Sequence, residues 1–328
     1  MPTHNYRNIL LVRLSALGDV IFSTSLLDAL RRAFPETRLS WLVQQHFAGI
    51  IQDDPRVDQV IVVPKSTFSS PRQLFQLRKK LRAQQFDLII DAQGTLKSNI
   101  TSALAGSRRV GFAAKRVGGA LLHEAIAKGG DIRDISSEYR FLGQTITGLE
   151  VGPPSLEVSS AKQQHIKQRI NELGLRPGFV ALSPFTTRPE KHWVEAHWSK
   201  LAALIDAAGK QPVIFGGPGR EDEAARMADA SGAPVINLTG RTELADLPAW
   251  FSMAELVIGV DTGLTHLGIA LRRPVVALFG ATCPYTQGAT SPLKVLLAPP
   301  ETAAQANMIA LTPETVWQEA VRVKGLIE

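Results

Sequence analysis

Short apolar runs of strand length recur along this chain, and nearly every one is followed by a stretch with helical spacing. In the first half the runs are Asn8–Val12, Leu39–Val43, Val57–Val63 and Phe86–Asp91. Helices are predicted over 20–34, stopping at Pro35, and over 69–84. In the second half Phe179–Leu182, Pro212–Phe215, Val235–Leu238, Leu256–Val260 and Val275–Phe279 alternate with helical patterns over 196–208 and 221–231. Strands that are apolar throughout are buried on both faces. The pattern therefore predicts an α/β chain whose parallel sheets carry helices on both sides. In such sheets, ligands collect at the carboxyl ends of the strands.

At 328 residues the chain is too long for one typical core. The stretch from Gly148 to Ser160, with Gly152-Pro153-Pro154, reads as a linker. We expect two Rossmann-like, doubly wound domains, 1–152 and 153–328, whose strand-end rims face across a ligand cleft. The last amphipathic stretch, 313–327, is expected to pack back across the linker on the first domain. No sequence repeat ties the halves together.

With 45% hydrophobic and 20% charged residues the chain is an ordinary folded protein, and its formal charge of +6 favours anionic partners. The single cysteine, Cys283, excludes an intrachain disulfide and any multi-cysteine metal site, which fits a reducing compartment. No apolar run approaches bilayer length, and Ile9–Val12 is too short for a signal-peptide core. A cytoplasmic protein is expected, one able to touch an anionic membrane surface. G-x-G-x-x-G, Walker A, H-E-x-x-H and G-x-S-x-G signatures are missing, which removes the anchors for dinucleotide oxidoreductases, P-loop kinases, zinc proteases and α/β-hydrolases. Nucleic-acid binding predicts aromatics among the bases, yet Arg108 to Arg140 holds only Phe112 and Tyr139.

The turn Asp261-Thr262-Gly263 lies between the apolar run Leu256–Val260 and a helical pattern through Leu264, Leu267 and Leu271. Side-chain oxygens suit a helix start, glycine lets a ligand approach the backbone, and the exposed amides with the helix dipole favour a phosphate. An ordinary helix cap accounts for the same residues. Bases cluster in the first half, over 69–84 and 106–140, with Arg72, Arg116 and Arg140 among them. A solvated surface explains each singly; the clustering favours an anionic substrate.

Five stretches together carry a resemblance: Arg13-Leu14-Ser15-Ala16-Leu17-Gly18-Asp19-Val20, Asp91-Ala92-Gln93-Gly94-Thr95-Leu96-Lys97-Ser98, Thr186-Thr187-Arg188-Pro189-Glu190-Lys191-His192-Trp193, the Gly216 to Glu221 loop, and Asp261 to His266. In this order they resemble the heptosyltransferases of lipopolysaccharide core synthesis, glycosyltransferase family 9, with a GT-B fold. The A-Q-G-x-x-K-S and K-H-W elements are most similar to the type I branch. The resemblance implies an inverting transfer of L-glycero-D-manno-heptose from ADP-heptose to the first Kdo of Kdo2-lipid A, on the cytoplasmic face of the inner membrane. A family 9 transferase using another acceptor, a second core heptose or a protein hydroxyl, is the alternative that fold analogy leaves open.

Such chemistry asks for a base, cations or amides for the departing diphosphate, and cations for the acceptor. The resemblance makes Asp19 the base, with a plain helix cap as the other reading. It gives Lys191 to the diphosphate as a mobile point charge, with a surface lysine as the alternative. Thr186, Thr187, Thr262, Gly263 and Leu264 are expected to offer hydroxyls and amides to the phosphates. Glu221 corresponds to the residue holding the ribose and Thr242 to the one beside adenine. Asp261 is expected to contact the heptose or to brace its turn, and His266 to support it. Lys97, Arg116 and Arg140, with Lys65 and Arg72, fall to the acceptor. No cofactor is called for; no D-x-D pair follows a strand, and the need for a divalent ion is left open.

Overall fold

The computed structural model describes residues 5–106, 108–114, 121–131, 134–176, 178–280, 294–297 and 308–325. Arg116 and Cys283 lie outside the described residues. The chain divides into two compact units, Met1–Glu157 and Val158–Glu328.

The first unit runs β1 (Asn8–Val12), α1 (Leu17–Ser23), α2 (Ser25–Ala33), β2 (Arg38–Gln44), β3 (Gln59–Val63), α3 (Pro71–Arg82), β4 (Leu88–Asp91), α4 (Leu96–Ala105), β5 (Arg109–Phe112), β6 (Glu124–Ile126) and α5 (Ser136–Thr147). The second runs α6 (Ser160–Glu172), β7 (Val180–Ser183), α7 (Glu195–Ala207), β8 (Pro212–Ile214), α8 (Glu221–Ser231), β9 (Ile236–Asn237), α9 (Leu247–Met253), β10 (Leu256–Val260), α10 (Gly263–Ala270), β11 (Val275–Leu278), β12 (Lys294–Leu297) and α11 (Pro313–Gly325). The sheets have the orders β3-β2-β1-β4-β5-β6 and β12-β11-β10-β7-β8-β9, and every pairing in both is parallel. Counted from its own first strand, each unit has the same doubly wound order. The order reverses between β1 and β4 in one and between β7 and β10 in the other. Both are topological switch points, where strand ends diverge and leave room for a ligand.

Apolar strands build both cores as the pattern predicts. Leu10, Val12, Leu42, Ile61 and Ile89 meet Leu77 and Leu81 of α3 in the first unit. Val180, Leu182, Ile258 and Val276 meet Trp193, Trp198 and Leu201 in the second. The helix expected to return to the first domain, α11, places Val316 and Ala320 in that second core.

Two boundaries differ from the sequence reading. The helix expected over 20–34 begins at Leu17 and is interrupted at Thr24. Three consecutive hydroxyls explain the break: Ser23, Thr24 and Ser25 donate to the carbonyls of Asp19, Ile21 and Phe22 at 2.7, 2.7 and 2.9 Å, competing with the helix's own donors. Residues 153–157, expected to open the second domain, belong with the first. The buried Arg56 guanidinium donates to the Ser155 carbonyl (2.8 Å) and hydroxyl (2.7 Å), while Asp54 and Asp28 neutralise it.

Candidate active site

At the switch point of the first sheet, the backbone leaves β1 through Arg13 and re-enters regular structure at α1. Arg13 is buried, and its Nη1 donates to the Ala92 carbonyl (2.9 Å) at the end of β4. It thus ties together the two strand ends between which the order reverses. Its Nη2 stands 2.6 Å from Oδ2 of Asp19. Asp19 is the third residue of α1, not its cap, and Oδ2 also accepts weakly from the Ala16 amide (3.4 Å). The Tyr139 hydroxyl, from α5, donates to Oδ1 (3.0 Å), and its ring lies 5.4 Å from the Arg13 guanidinium. Burial pushes the Tyr139 phenol far above its usual range, so it stays a donor throughout neutral pH. Asp19 is held from two sides, yet its side chain is 36% exposed where that of Arg13 is only 7% exposed. A carboxylate so placed can accept a proton from an incoming hydroxyl.

The Asp91 loop frames this site. Buried Asp91 accepts from the amides of Gln93 (3.0 Å) and Gly94 (3.1 Å) and from Asn99 Nδ2 (2.6 Å). Burial raises its pKa despite these donors. Gln93 in turn accepts from the Leu14 amide (2.8 Å), which ties the loop after β1 to the loop after β4. Gly94 takes φ +67°, and a Cβ there would strike Phe112.

Among the described residues, the expected acceptor cations come from different elements of the first unit. Lys97, exposed in the first turn of α4, lies 4.9 Å from the Phe68 ring centroid, which brings it to the 65–69 turn begun by Lys65. Arg72 is exposed on α3. Arg140 is half-buried and bonded to Asp134 at 2.9 Å, so it is already partnered.

The second unit repeats the design with the charges rearranged. The loop after β7 is anchored by Trp193, which packs edge-on against Trp198 at 4.9 Å and donates to the Leu311 carbonyl (2.8 Å). That anchor buries Lys191, whose Nζ stands 2.5 Å from Oδ2 of Asp261 at the end of β10. Lys191 is therefore a fixed charge, neither mobile nor a surface lysine; Glu190 pairs with Arg188 instead. Asp261 Oδ1 meets His266 Nε2 at 3.1 Å. Burial opposes the charge on Asp261, but His266 and Lys191 outweigh it and hold the carboxyl down at about 2. Asp261 and His266 brace the turn.

Thr262 caps α10 in extended conformation without a side-chain hydrogen bond. The first amides of a helix have no intrahelical acceptor, so those of Gly263 and Leu264 suit an anion beside fixed Lys191. The turn is locked to β7: a Cβ on Gly259 would strike Thr265 and Ser183, and Thr265 donates to the Val260 carbonyl (2.6 Å). Thr186 accepts from His192 Nε2 through its carbonyl (2.9 Å) and from the Arg188 amide through its hydroxyl (3.3 Å); Thr187 is exposed. Glu221 opens α8 and accepts from the Gly219 amide (2.7 Å). Its carboxylate lies over Gly240, where a Cβ would collide, and the Gly240 amide donates to Gly216 (2.9 Å). This joins Glu221 to the turn carrying half-buried Thr242.

Sequence reading missed two participants. Arg13 is a lone arginine ending an apolar strand, and that position is the signal for it. Tyr139 gave none, since its contact with Asp19 spans 120 residues.

Residues 74–315 match glycosyltransferase family 9 (heptosyltransferase). Lipopolysaccharide heptosyltransferase 1 of Salmonella typhimurium is 30% identical over 289 residues, 84% of this chain and 89% of that one. Lipopolysaccharide heptosyltransferase 3 of Escherichia coli is 24% identical over 281 residues, 81% of each. The structure of Escherichia coli heptosyltransferase WaaC with ADP-2-deoxy-2-fluoro heptose has a TM-score of 0.76 at 26% identity, covering 96% of this chain and 99% of that one. Two doubly wound units of one strand order, with their motifs at the switch points, define a glycosyltransferase of the GT-B fold. The chain belongs to glycosyltransferase family 9, the heptosyltransferases.

Proposed function

We propose that this enzyme transfers L-glycero-D-manno-heptose from ADP-heptose to the first Kdo of Kdo2-lipid A in lipopolysaccharide core synthesis. One observation carries the reading: the half-open Asp19 carboxylate, gripped by Arg13 and Tyr139 at the first switch point. The acceptor hydroxyl attacks the anomeric carbon from the face opposite ADP, and Asp19 takes its proton. The diphosphate departs onto the amides of Gly263 and Leu264, the hydroxyls of Thr186, Thr187 and Thr262, and the fixed charge of Lys191. Glu221 holds the ribose and Thr242 lies beside adenine. Lys97, Lys65, Arg72, Arg116 and Arg140 serve the carboxylates and phosphates of the acceptor, and the reaction runs at the cytoplasmic face of the inner membrane. The strongest support for the type I acceptor is the 30% identity to a heptosyltransferase 1 over most of the chain.

A second reading keeps the chemistry and changes the acceptor to an already heptosylated core; the heptosyltransferase 3 relative favours it. Turnover with ADP-heptose, offering Kdo2-lipid A and heptosylated acceptors side by side, separates the two. Transfer to Kdo2-lipid A alone is expected; preference for the heptosylated acceptor replaces the first reading with the second.

A further inference from the structure

Helices α3 and α4 pack side by side over one face of the first sheet. Arg82 fastens them, donating to the carbonyls of Leu104 (3.0 Å) and Ala103 (3.3 Å). Leu77 and Leu81 of α3, and Asn99, Thr101, Ser102 and Ala105 of α4, point into the unit. Helical geometry then turns Arg72, Phe75 and Lys79 outward on one helix and Leu96 and Ile100 on the other. Phe75 is 67% exposed, Leu96 40% and Ile100 38%. Single exposed apolar side chains are normal on any surface. Three on two helices packed side by side exceed that background, and exposed apolar residues gathered in this way are what an interaction surface requires.

The charge around these side chains is of one sign. α3 carries Arg72, Arg78, Lys79, Lys80 and Arg82, α4 carries Lys97, and neither helix contains Asp or Glu. A phenyl ring and two aliphatic side chains inside a cationic rim complement a surface that is anionic outside and apolar beneath. That is the interfacial layer of an acidic phospholipid bilayer. We propose that the α3–α4 face is a membrane-docking surface, with Phe75, Leu96 and Ile100 entering the boundary between headgroups and acyl chains. The inference rests on the transferase reading only for its setting, since a lipid-anchored acceptor brings this unit to such a surface; Arg72 and Lys97 of this face are also proposed for the acceptor, whereas Phe75, Lys79, Leu96 and Ile100 have no part in the reaction.

Sedimentation with vesicles lacking any glycolipid tests the face apart from the chemistry. The full-length protein is expected to sediment with phosphatidylcholine vesicles containing phosphatidylglycerol and not with phosphatidylcholine alone. Phe75→Ser is expected to weaken that partition about tenfold and Lys79→Gln by less, since apolar burial outweighs one screened charge. Phe75→Trp is expected to emit blue-shifted fluorescence on anionic vesicles, quenched by brominated acyl chains. Phe75→Ser should keep the wild-type melting temperature and its turnover on detergent-dispersed acceptor. Equal binding to neutral vesicles, wild-type partition of Phe75→Ser, or an unquenched indole overturns the proposal. Vesicle binding without any heptose transfer sinks the transferase reading and upholds the docking face.

Discussion

Nη2 of Arg13 lies 2.6 Å from Oδ2 of Asp19, and the same guanidinium holds the Ala92 carbonyl through Nη1. One side chain therefore fixes both the carboxylate and the strand end beside it. In the second unit Lys191 does the corresponding work, reaching from the loop after β7 to Asp261 at the end of β10. Each sheet has a cation laced across its switch point, and only the first leaves its carboxylate half open.

That difference makes Asp19 the group to remove. Asp19→Ala is expected to lower turnover by about 10²–10⁴-fold, the usual contribution of a positioned base. ADP affinity by calorimetry should stay close to wild type, because the residues proposed for the nucleotide belong to the other unit. Turnover at the wild-type rate would strip Asp19 of its role.

Tyr139→Phe tests positioning without touching Asp19 itself. It deletes the donor to Oδ1 and keeps the ring beside Arg13. A hydrogen bond to a charged group is worth about 1.5–3 kcal/mol, so kcat should fall at least about tenfold. KM for ADP-heptose and the melting temperature should hardly change. A rise in KM with kcat intact would assign Tyr139 to binding instead.

Much of this was readable in the sequence. Alternating strands and helices announced two doubly wound units, because a strand buried on both faces needs apolar residues at every position. Asp19 was legible as a residue of the first strand-end loop. Its rank as third residue of α1 was not, since Leu17 and Gly18 carry no start signal. The fixed state of Lys191 was hidden by its neighbours: Pro189-Glu190-Lys191 reads as surface, and only the distant Trp193–Leu311 anchor buries it. Arg13 and Tyr139 meet Asp19 through tertiary packing alone, which no local periodicity encodes.

Asp261, held by His266 and Lys191, gives the second unit an acid-sensitive brace. Asp261 has a folded pKa of about 2 against an ordinary value of 3.8. Its stabilisation is therefore complete above about pH 4 and is lost as pH falls through about 2, amounting to about 2 kcal/mol at neutral pH. Thermal unfolding followed from pH 7 down to pH 2 should show this loss. Lys191→Met removes one of the two partners of a buried carboxylate and should cost about 3–5 kcal/mol at neutral pH. It should also weaken ADP binding. A variant that melts like wild type at neutral pH would show the Lys191–Asp261 pair to be dispensable.

Glu221, proposed to hold the ribose, is the remaining test of the donor site. Its Oε2 accepts from the Gly219 amide at 2.7 Å, and its carboxylate rests on Gly240, which holds φ +69°. Glu221→Ala removes a charged acceptor from the glycine-rich loop, and ADP affinity should fall about tenfold or more. Gly240→Ala is expected to act on the same measurement from the other side, by pushing the carboxylate away and straining a left-handed backbone position. Calorimetry on both variants, with Asp19→Ala as the control expected to keep ADP, reads the residues proposed for the nucleotide separately from Asp19. If both variants bind ADP as wild type does, Glu221 is a first-turn helix acid and nothing more.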